Sequence, residues 1–416
     1  MAPTDEIAPE YPYINVTIDT RGMQPLARRA TGNIAIVGAP GTRVTVTPNI
    51  PVQIGSEAEA REHFAVVDTK TRAVTSAGPL YRALCAALLQ DPAPSRVYAV
   101  PTGPAETPPG GGGLGGEQPA AAAPDYDAAL KAAESLPVQL VCLAGETGVD
   151  QLKRLKKHVD NVSEAGSARM GVGMVDPDLP LDPTDEDRAT FAAAAASTYT
   201  DVKSGSSRMI LVAARVEKDK ETGEQPDVAA AVTGAIAGYP PHASVLMKQV
   251  RGFGIPLSRQ FSGTEIKNLA EKLIIPVIDP ELIPGEGLFL GSGHCFTTET
   301  SKLFVDIVRV LDHIEFQLKS GLIGSIGETR IDRLGMQGLK SRINGILSPL
   351  LTSGIIAGYT IDIPLLPVLE AEESARTPGQ TSTLSGARRD RTVEVLLSVT
   401  YAGAVHFLDI NLALKA

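Results

Sequence analysis

Hydrophobic and polar residues alternate strictly near both ends of the chain. Across residues 13–19, Ile14, Val16 and Ile18 fall on one side and Asn15, Thr17 and Asp19 on the other. Across residues 404–414, Leu408, Ile410, Leu412 and Leu414 share a face. Period two is the mark of a half-buried strand. Neither stretch has an evident local partner, and an unpaired strand edge recruits another chain. The pattern predicts β-arms that exchange strands between subunits. Their contacts would be carried by Tyr13, Ile14, Val16, Ile18, Val405, Phe407, Leu408, Ile410, Leu412 and Leu414.

Between the arms the pattern changes several times. Residues 1–22 form the first arm, where Pro3, Pro9 and Pro12 exclude helix. Residues 23–100 read as the first segment of a core domain. It holds an apolar strand at 33–38, a β-like stretch at 44–54, and a helix from Ser56 with Glu59 placed for a capping box. A helix at 80–89 and a strand at 96–100 follow. Residues 101–124 are a Pro/Gly/Ala-rich linker or loop. Residues 125–255 alternate helix (126–136, 149–165, 185–199) with apolar strand (138–143, 170–175, 209–214). That alternation predicts a mostly parallel sheet covered by helices, an α/β layer domain.

Residues 256–390 read as the C-terminal core domain. A long helix over 297–320 carries a stripe of Phe304, Ile307, Val308, Leu311, Ile314 and Leu318. A second helix spans 332–351, a strand 354–364, and a polar loop 370–390. Residues 391–416 supply two last strands, with Ala402-Gly403 suggesting a hairpin between them. The fold class is α/β: an α+β core plus an α/β layer domain, with extended N- and C-terminal β-arms for inter-subunit strand exchange.

Composition narrows the function. Of 416 residues, 43% are hydrophobic but only 4% aromatic, so the cores rest on Ala, Val, Leu and Ile. A net charge of −10 argues against a general nucleic-acid binder. Cys85, Cys142 and Cys295 sit far apart in apolar runs, which fits buried thiols in a reducing compartment. The start is acidic without an apolar signal segment, and no stretch has the length of a membrane span. A cytoplasmic protein without direct membrane insertion is expected.

Candidate chemistry is sparse. Residues 38–42 (GAPGT) follow a strand but lack the Lys and spacing of a phosphate loop. Residues 291–295 (GSGHC) place Ser292 out of frame for a nucleophile elbow, and Ser292 and His294 are too close in sequence to form a relay easily. The six histidines do not cluster; His406 reads as a packed or interface residue in a strand. No His or Cys spacing supports a metal. The acidic run Asp176, Asp178, Asp182, Asp185, Glu186 and Asp187 is interrupted by prolines and reads as a solvated loop. Lys153, Arg154, Lys156 and Lys157 read as a solvated helix face. No catalytic, cofactor or metal residue is assigned. A structural assembly protein is favoured over an α/β hydrolase or nucleotide-binding enzyme, whose first candidates would be Asp176 and Glu146 at strand ends.

The order of segments resembles the tail sheath family of contractile phage tails and contractile injection systems. Residues 10–16 (EYPYINV) look like the family's arm, without its usual Gly-Val-Tyr. Residues 32–38 resemble its first core strand; 51–56 (PVQIGS) with 62–64 (EHF) resemble the stretch that follows. Residues 79–84 and 96–100 are similar to the next helix and strand, with Pro101 where the family usually has Arg. Residues 311–318 (LDHIEFQL) look like the long helix, and 358–362 (GYTID) and the last two strands complete the order. The resemblance implies six-membered rings stacked helically around an inner tube, with baseplate and cap proteins as further partners. It also implies arms that add strands to a neighbour's sheet, and a contraction that drives the tube forward without nucleotide. On that resemblance residues 125–255 are expected to face outward. A tube or baseplate subunit is the third reading, and tube subunits are normally much shorter.

Overall fold

Strands that are apolar on both sides pair in parallel here because helices cover both faces of their sheet. The computed structural model describes residues 31–41, 44–68, 70–71, 73–104, 123–219, 223–280 and 287–406. The first strand, Asn33–Gly38 (β1), is buried along its whole length. A short strand Val52–Ile54 (β2) leads into helix Glu57–Phe64 (α1). The Ser56 hydroxyl accepts the Glu59 N–H at 3.3 Å, and the Glu59 carboxylate accepts from Gly55 N–H at 2.7 Å. The predicted capping box is thus displaced by one residue.

A small antiparallel pair, Ala65–Val67 (β3) and Val74–Ala77 (β4), precedes helix Pro79–Leu88 (α2) and strand Arg96–Pro101 (β5). Gly103–Pro104 (β6) then pairs with Pro124–Asp125 (β7), which closes the predicted linker at its base. Helix Tyr126–Ala133 (α3), strand Leu140–Leu143 (β8), helix Val149–Glu164 (α4) and strand Met170–Met174 (β9) follow. After them come helix Phe191–Thr198 (α5), strand Met209–Ala213 (β10) and helix Val228–Gly238 (α6). The sheet region ends with Gln249–Val250 (β11), Gly263–Glu271 (α7), Ile275–Ile278 (β12) and Leu288–Leu290 (β13).

Nine of these strands make one sheet in the order β11-β13-β12-β10-β9-β8-β1-β5-β2. β5, β1, β8, β9, β10 and β12 run parallel; β2, β13 and β11 are antiparallel to their neighbours. Alternate residues serve opposite cores. Ile34 and Ile36 face α2 and α6, while Ala35 and Val37 face α3 and α4.

This sheet corrects the predicted partition. Residues 125–255 do not form a separate layer domain, because β1, β2 and β5 from the first segment and β12 and β13 from the third complete their sheet. Pairing between distant strands carries no mark in local periodicity. The 185–199 helix also starts later, at Phe191 behind the Thr190 cap, since residues 176–190 are occupied by turns. Of the 44–54 stretch only β2 is a strand.

The rest of the chain makes a second packing unit. Helix Val305–Leu322 (α8) and helix Arg333–Thr352 (α9) lie under strand Ile356–Asp362 (β14). Helices Leu365–Glu370 (α10) and Pro378–Asp390 (α11) and strand Leu396–Tyr401 (β15) complete it. The predicted loop at 370–390 is therefore largely the helix α11. It buries one side chain, Leu384, and relies on a Thr377–Gln380 capping box rather than an apolar stripe. The 297–320 helix starts at Val305, and its Leu311 is exposed. Val305 and Val308 enter the sheet's core, whereas Val310 and Ile314 enter the second core. The 392–401 strand begins at Leu396, and its partner is β14. The hairpin suggested with residues 405–414 involves residues 407–414, which lie outside the described residues.

Arg169 is the largest fully buried side chain. Its guanidinium donates to the carbonyls of Ala133 at 2.9 Å, Glu134 at 3.0 Å and Leu136 at 3.1 Å, closing the end of α3. Beside it, His158 is held down to about pKa 4 by burial and by the Arg169 charge. Arg169→Ala strands these carbonyls without a donor. It should cost about 3 kcal/mol or more, read as a clear fall in melting temperature. An unchanged melting curve would contradict the assignment.

Candidate functional site

Where the sequence pattern hinted at chemistry, the fold makes structural contacts. The 38–41 turn after β1 packs against the start of α2. Gly41 has a φ of 103°, and a Cβ on Gly78 would meet the Gly41 nitrogen at 2.3 Å. The two backbones meet there with no room for a side chain. The crevice at the carboxyl ends of β1 and β8, where an α/β enzyme would bind, is filled in the same way. A Cβ on Gly38 would meet the Ala144 side chain at 2.4 Å, and the buried Asp227 carboxylate reaches Gly145 N–H at 2.7 Å and Ala230 N–H at 2.8 Å. Glu146 accepts the Tyr126 hydroxyl at 2.8 Å, and Asp176 accepts the Asp178 N–H at 3.0 Å.

Ser292 and His294 do bond, with Oγ and Nδ1 at 2.6 Å, contrary to the expectation from their proximity in sequence. Ser292 is buried, and His294 has no carboxylate bonded to it among the described residues. The other face of His294 stacks on Phe304 at 4.8 Å between centroids, and Phe304 meets the edge of His406 at 4.7 Å. His406 in turn bonds Ser244 Oγ at 2.9 Å. His406 therefore lies just past β15 rather than in a strand, and its packed character is as expected. Burial, and then the neighbouring His406, lower the pKa of His294. Asp178 pairs with Arg259 at 2.6 Å and Lys153 with Asp201 at 2.8 Å, so the acidic run and the basic helix face are solvated surfaces with ion pairs. No group of three metal-ligating side chains occurs among the described residues.

Of the three strand pairs outside the main sheet among the described residues, β14–β15 has the longest strands. It is antiparallel from Ile356 opposite Tyr401 to Asp362 opposite Leu396, and it forms a sheet of two strands. One face is apolar: Tyr359, Ile361, Leu397, Val399 and Tyr401 lie on α8 and α9. The other face is exposed, with Thr360, Leu396, Ser398 and Thr400. Both outer edges lack a ladder partner among the described residues, although a two-stranded sheet is marginal by itself. The pair is joined to the first turn of α8 by the Tyr401 hydroxyl, which donates to Asp306. Of the predicted arm contacts, only Val405 falls within the described residues. It is exposed and outside any strand, four residues past the end of β15. Tyr13, Ile14, Val16, Ile18, Phe407, Leu408, Ile410, Leu412 and Leu414 lie outside the described residues. Sequence reasoning named the strand-like ends and missed that β14 and β15 pair with outer edges unpartnered among the described residues. The polar-out alternation of residues 396–401 was the available signal.

No known family profile matches the chain, and no curated protein matches it by sequence. Solved structures do. The contracted sheath complex of an extracellular contractile injection system (PVC) superposes with a TM-score of 0.64 at 12% identity, covering 98% of this chain and 99% of that one. The anti-feeding prophage helical sheath, also contracted, gives 0.63 at 12% identity over 97% and 99%. A sheath tail protein from Listeria innocua gives 0.53 at 11% identity over 92% and 97%. The chain has the fold of the tail sheath proteins along almost its whole length.

Burial raises the Asp227 pKa to about 6, against the pull of the Ala230 and Gly145 N–H groups. A carboxyl whose folded pKa lies above its unfolded value stabilises below the unfolded pKa and loses that contribution as pH rises through the folded one. The wild type should therefore lose about 2–3 kcal/mol relative to Asp227→Asn between pH ~4 and ~6. Melting temperatures of the two proteins across that range test this; parallel curves would contradict it.

Proposed function

We propose that this protein is a structural sheath subunit, which polymerises into stacked six-membered rings around an inner tube and contracts to drive that tube through a target envelope. The observation that carries the reading is the β14–β15 pair, whose outer edges have no ladder partner among the described residues, in a chain whose fold matches contracted sheath chains over 97% and 98% of its length. Two terminal stretches with strand alternation, 13–19 and 404–414, are available to complete that pair in a neighbour. Strand addition draws affinity from main-chain hydrogen bonds and register from alternate side chains. A stretch of seven residues at a net ~1 kcal/mol per bond gives about 5–10 kcal/mol per arm. That is enough to keep subunits linked while their bodies rotate.

Tyr13, Ile14, Val16 and Ile18 serve the first arm. Val405, Phe407, Leu408, Ile410, Leu412 and Leu414 serve the second. Work comes from exchanging one packing of rigid subunits for another that buries more surface, a bistable interface of the kind used by other switches. The filled crevice and the Ser292–His294 pair without a bonded carboxylate support a non-enzymatic role. Partners are other copies, the inner tube, and baseplate and cap proteins; a baseplate structure of the anti-feeding prophage, 6-fold symmetrised, matches this chain at a TM-score of 0.63 and 12% identity. Assembly takes place in the cytoplasm as part of a phage tail or phage-tail-like particle.

Deleting residues 1–20, or ending the chain at Tyr401, should leave a folded subunit with a near-normal melting curve that makes no tubes. Electron microscopy of the purified variants reads this out. Long tubes of normal striation from either truncation would overturn arm exchange.

A further inference from the structure

The second packing unit carries a groove of about 960 Å³ between the end of α8, α9 and the residues leading into β15. Its floor is apolar, with Leu318, Met336, Leu339, Ile343, Val395 and Leu397. Its rim holds Arg330, Arg388 and Arg391, all exposed, against one carboxylate, Asp332. That carboxylate is engaged as the cap of α9, accepting Gly335 N–H at 2.7 Å. No ion pair among the described residues uses the three arginines. Arg388 Nε donates to the Ile331 carbonyl at 3.3 Å, which sets its side chain along the rim. Ile326, 75% exposed, extends the apolar surface at the mouth. An open apolar groove with an unpaired cationic rim fits an acidic segment with apolar side chains.

Among the acidic segments outside the described residues, 105–122 and 281–286 are tied at both ends, to β6 and β7 and to β12 and β13, whereas residues 1–20 have one end free to reach another copy. Residues 1–20 carry Asp5, Glu6, Glu10 and Asp19 and no Lys or Arg. Residues 407–416 carry Asp409 and Lys415, which cancel. Within the first segment, chemistry divides at Pro12. Pro3, Pro9 and Pro12 lack the N–H that a strand ladder needs, so residues 3–12 cannot continue the pairing open to 13–19. They do present Ile7 and Tyr11 between Asp5, Glu6 and Glu10.

We infer that this groove receives residues 3–12 of a second copy of the chain, with Ile7 and Tyr11 on the apolar floor and Asp5, Glu6 and Glu10 against Arg330, Arg388 and Arg391. The inference rests on the arm-exchange reading and adds to it a seat for the part of the arm that cannot be a strand. It also makes the linkage between copies sensitive to salt, because rim charges are screened within about 8–10 Å at physiological ionic strength.

The test uses the full chain with Ile7→Cys and Ile326→Cys. Isotopically light and heavy batches are mixed before assembly and joined with a short bis-maleimide. Peptide mass spectrometry should find position 7 of one label linked to position 326 of the other. Arg330→Glu with Arg388→Glu should lower that yield roughly fivefold or more, and adding Asp5→Lys with Glu6→Lys should restore it. Links within one label only would mean that the groove takes its own chain's segment, and the inference would fail. It would fail equally if no link formed, if the charge reversals had no effect, or if Leu408→Cys in place of Ile7→Cys gave the dominant link to 326. Light–heavy links in particles that are not tubes would leave this groove assignment standing and sink the sheath reading.

Discussion

A backbone N–H or C=O on a strand edge needs a partner, and this chain meets that need in two different ways. The nine-stranded sheet keeps its parallel strands inside, covers both faces with helices and ends in short antiparallel strands of two or three residues. The β14–β15 pair has longer strands, one covered face and two outer edges without a ladder partner among the described residues. The first arrangement leaves little for another chain to pair with. The second leaves a ladder unfinished. Everything proposed about assembly follows from that asymmetry within one subunit.

The open pair is held firmly to the rest. α8 contributes Val305 and Val308 to one core and Val310 and Ile314 to the other. On the same helix, buried Arg309 donates to the Tyr239 carbonyl at 2.8 Å, and Asp312 pairs with Arg208 at 2.5 Å with both side chains largely covered. Burial lowers the Arg309 pKa to about 10, so the group remains charged and its donors remain fixed. The C-terminal stretch leaves from His406, which is set between Ser244 and Phe304 of the main body. A force applied at His406 would thus reach packed side chains of the main body.

Several groups that look reactive are perturbed by packing alone. Asp227 holds a raised pKa while capping α6, Cys142 and Cys295 are pushed far up by burial, and His158 is pushed down beside a buried arginine. Perturbed ionisation marks functional sites only where a cleft and a reacting partner accompany it. In this molecule those groups are enclosed, and the surfaces left open offer main-chain edges and an apolar groove with arginines.

The order of elements was legible in the sequence wherever burial is two-sided or strictly alternating. β1, β5, β8, β9 and β10 appear as short apolar runs, and α2, α4 and α9 as helical spacing, because local chemistry alone sets those patterns. The helix α11 was not legible, since its sequence shows one buried leucine among Gly, Ser, Thr and Arg and depends on packing beside Met336 and Ile363. Nor was the union of distant segments into one sheet, which is decided by pairing across more than 100 residues, as between β1 and β8. By itself the sequence determined the alternation at both ends, the absence of spaced catalytic or metal motifs, and the likeness to sheath chains. Only the tertiary structure decided which strands share a sheet, which pair is left open and where three arginines meet. Periodicity records what each residue faces, whereas an edge or a groove exists only once remote segments have come together.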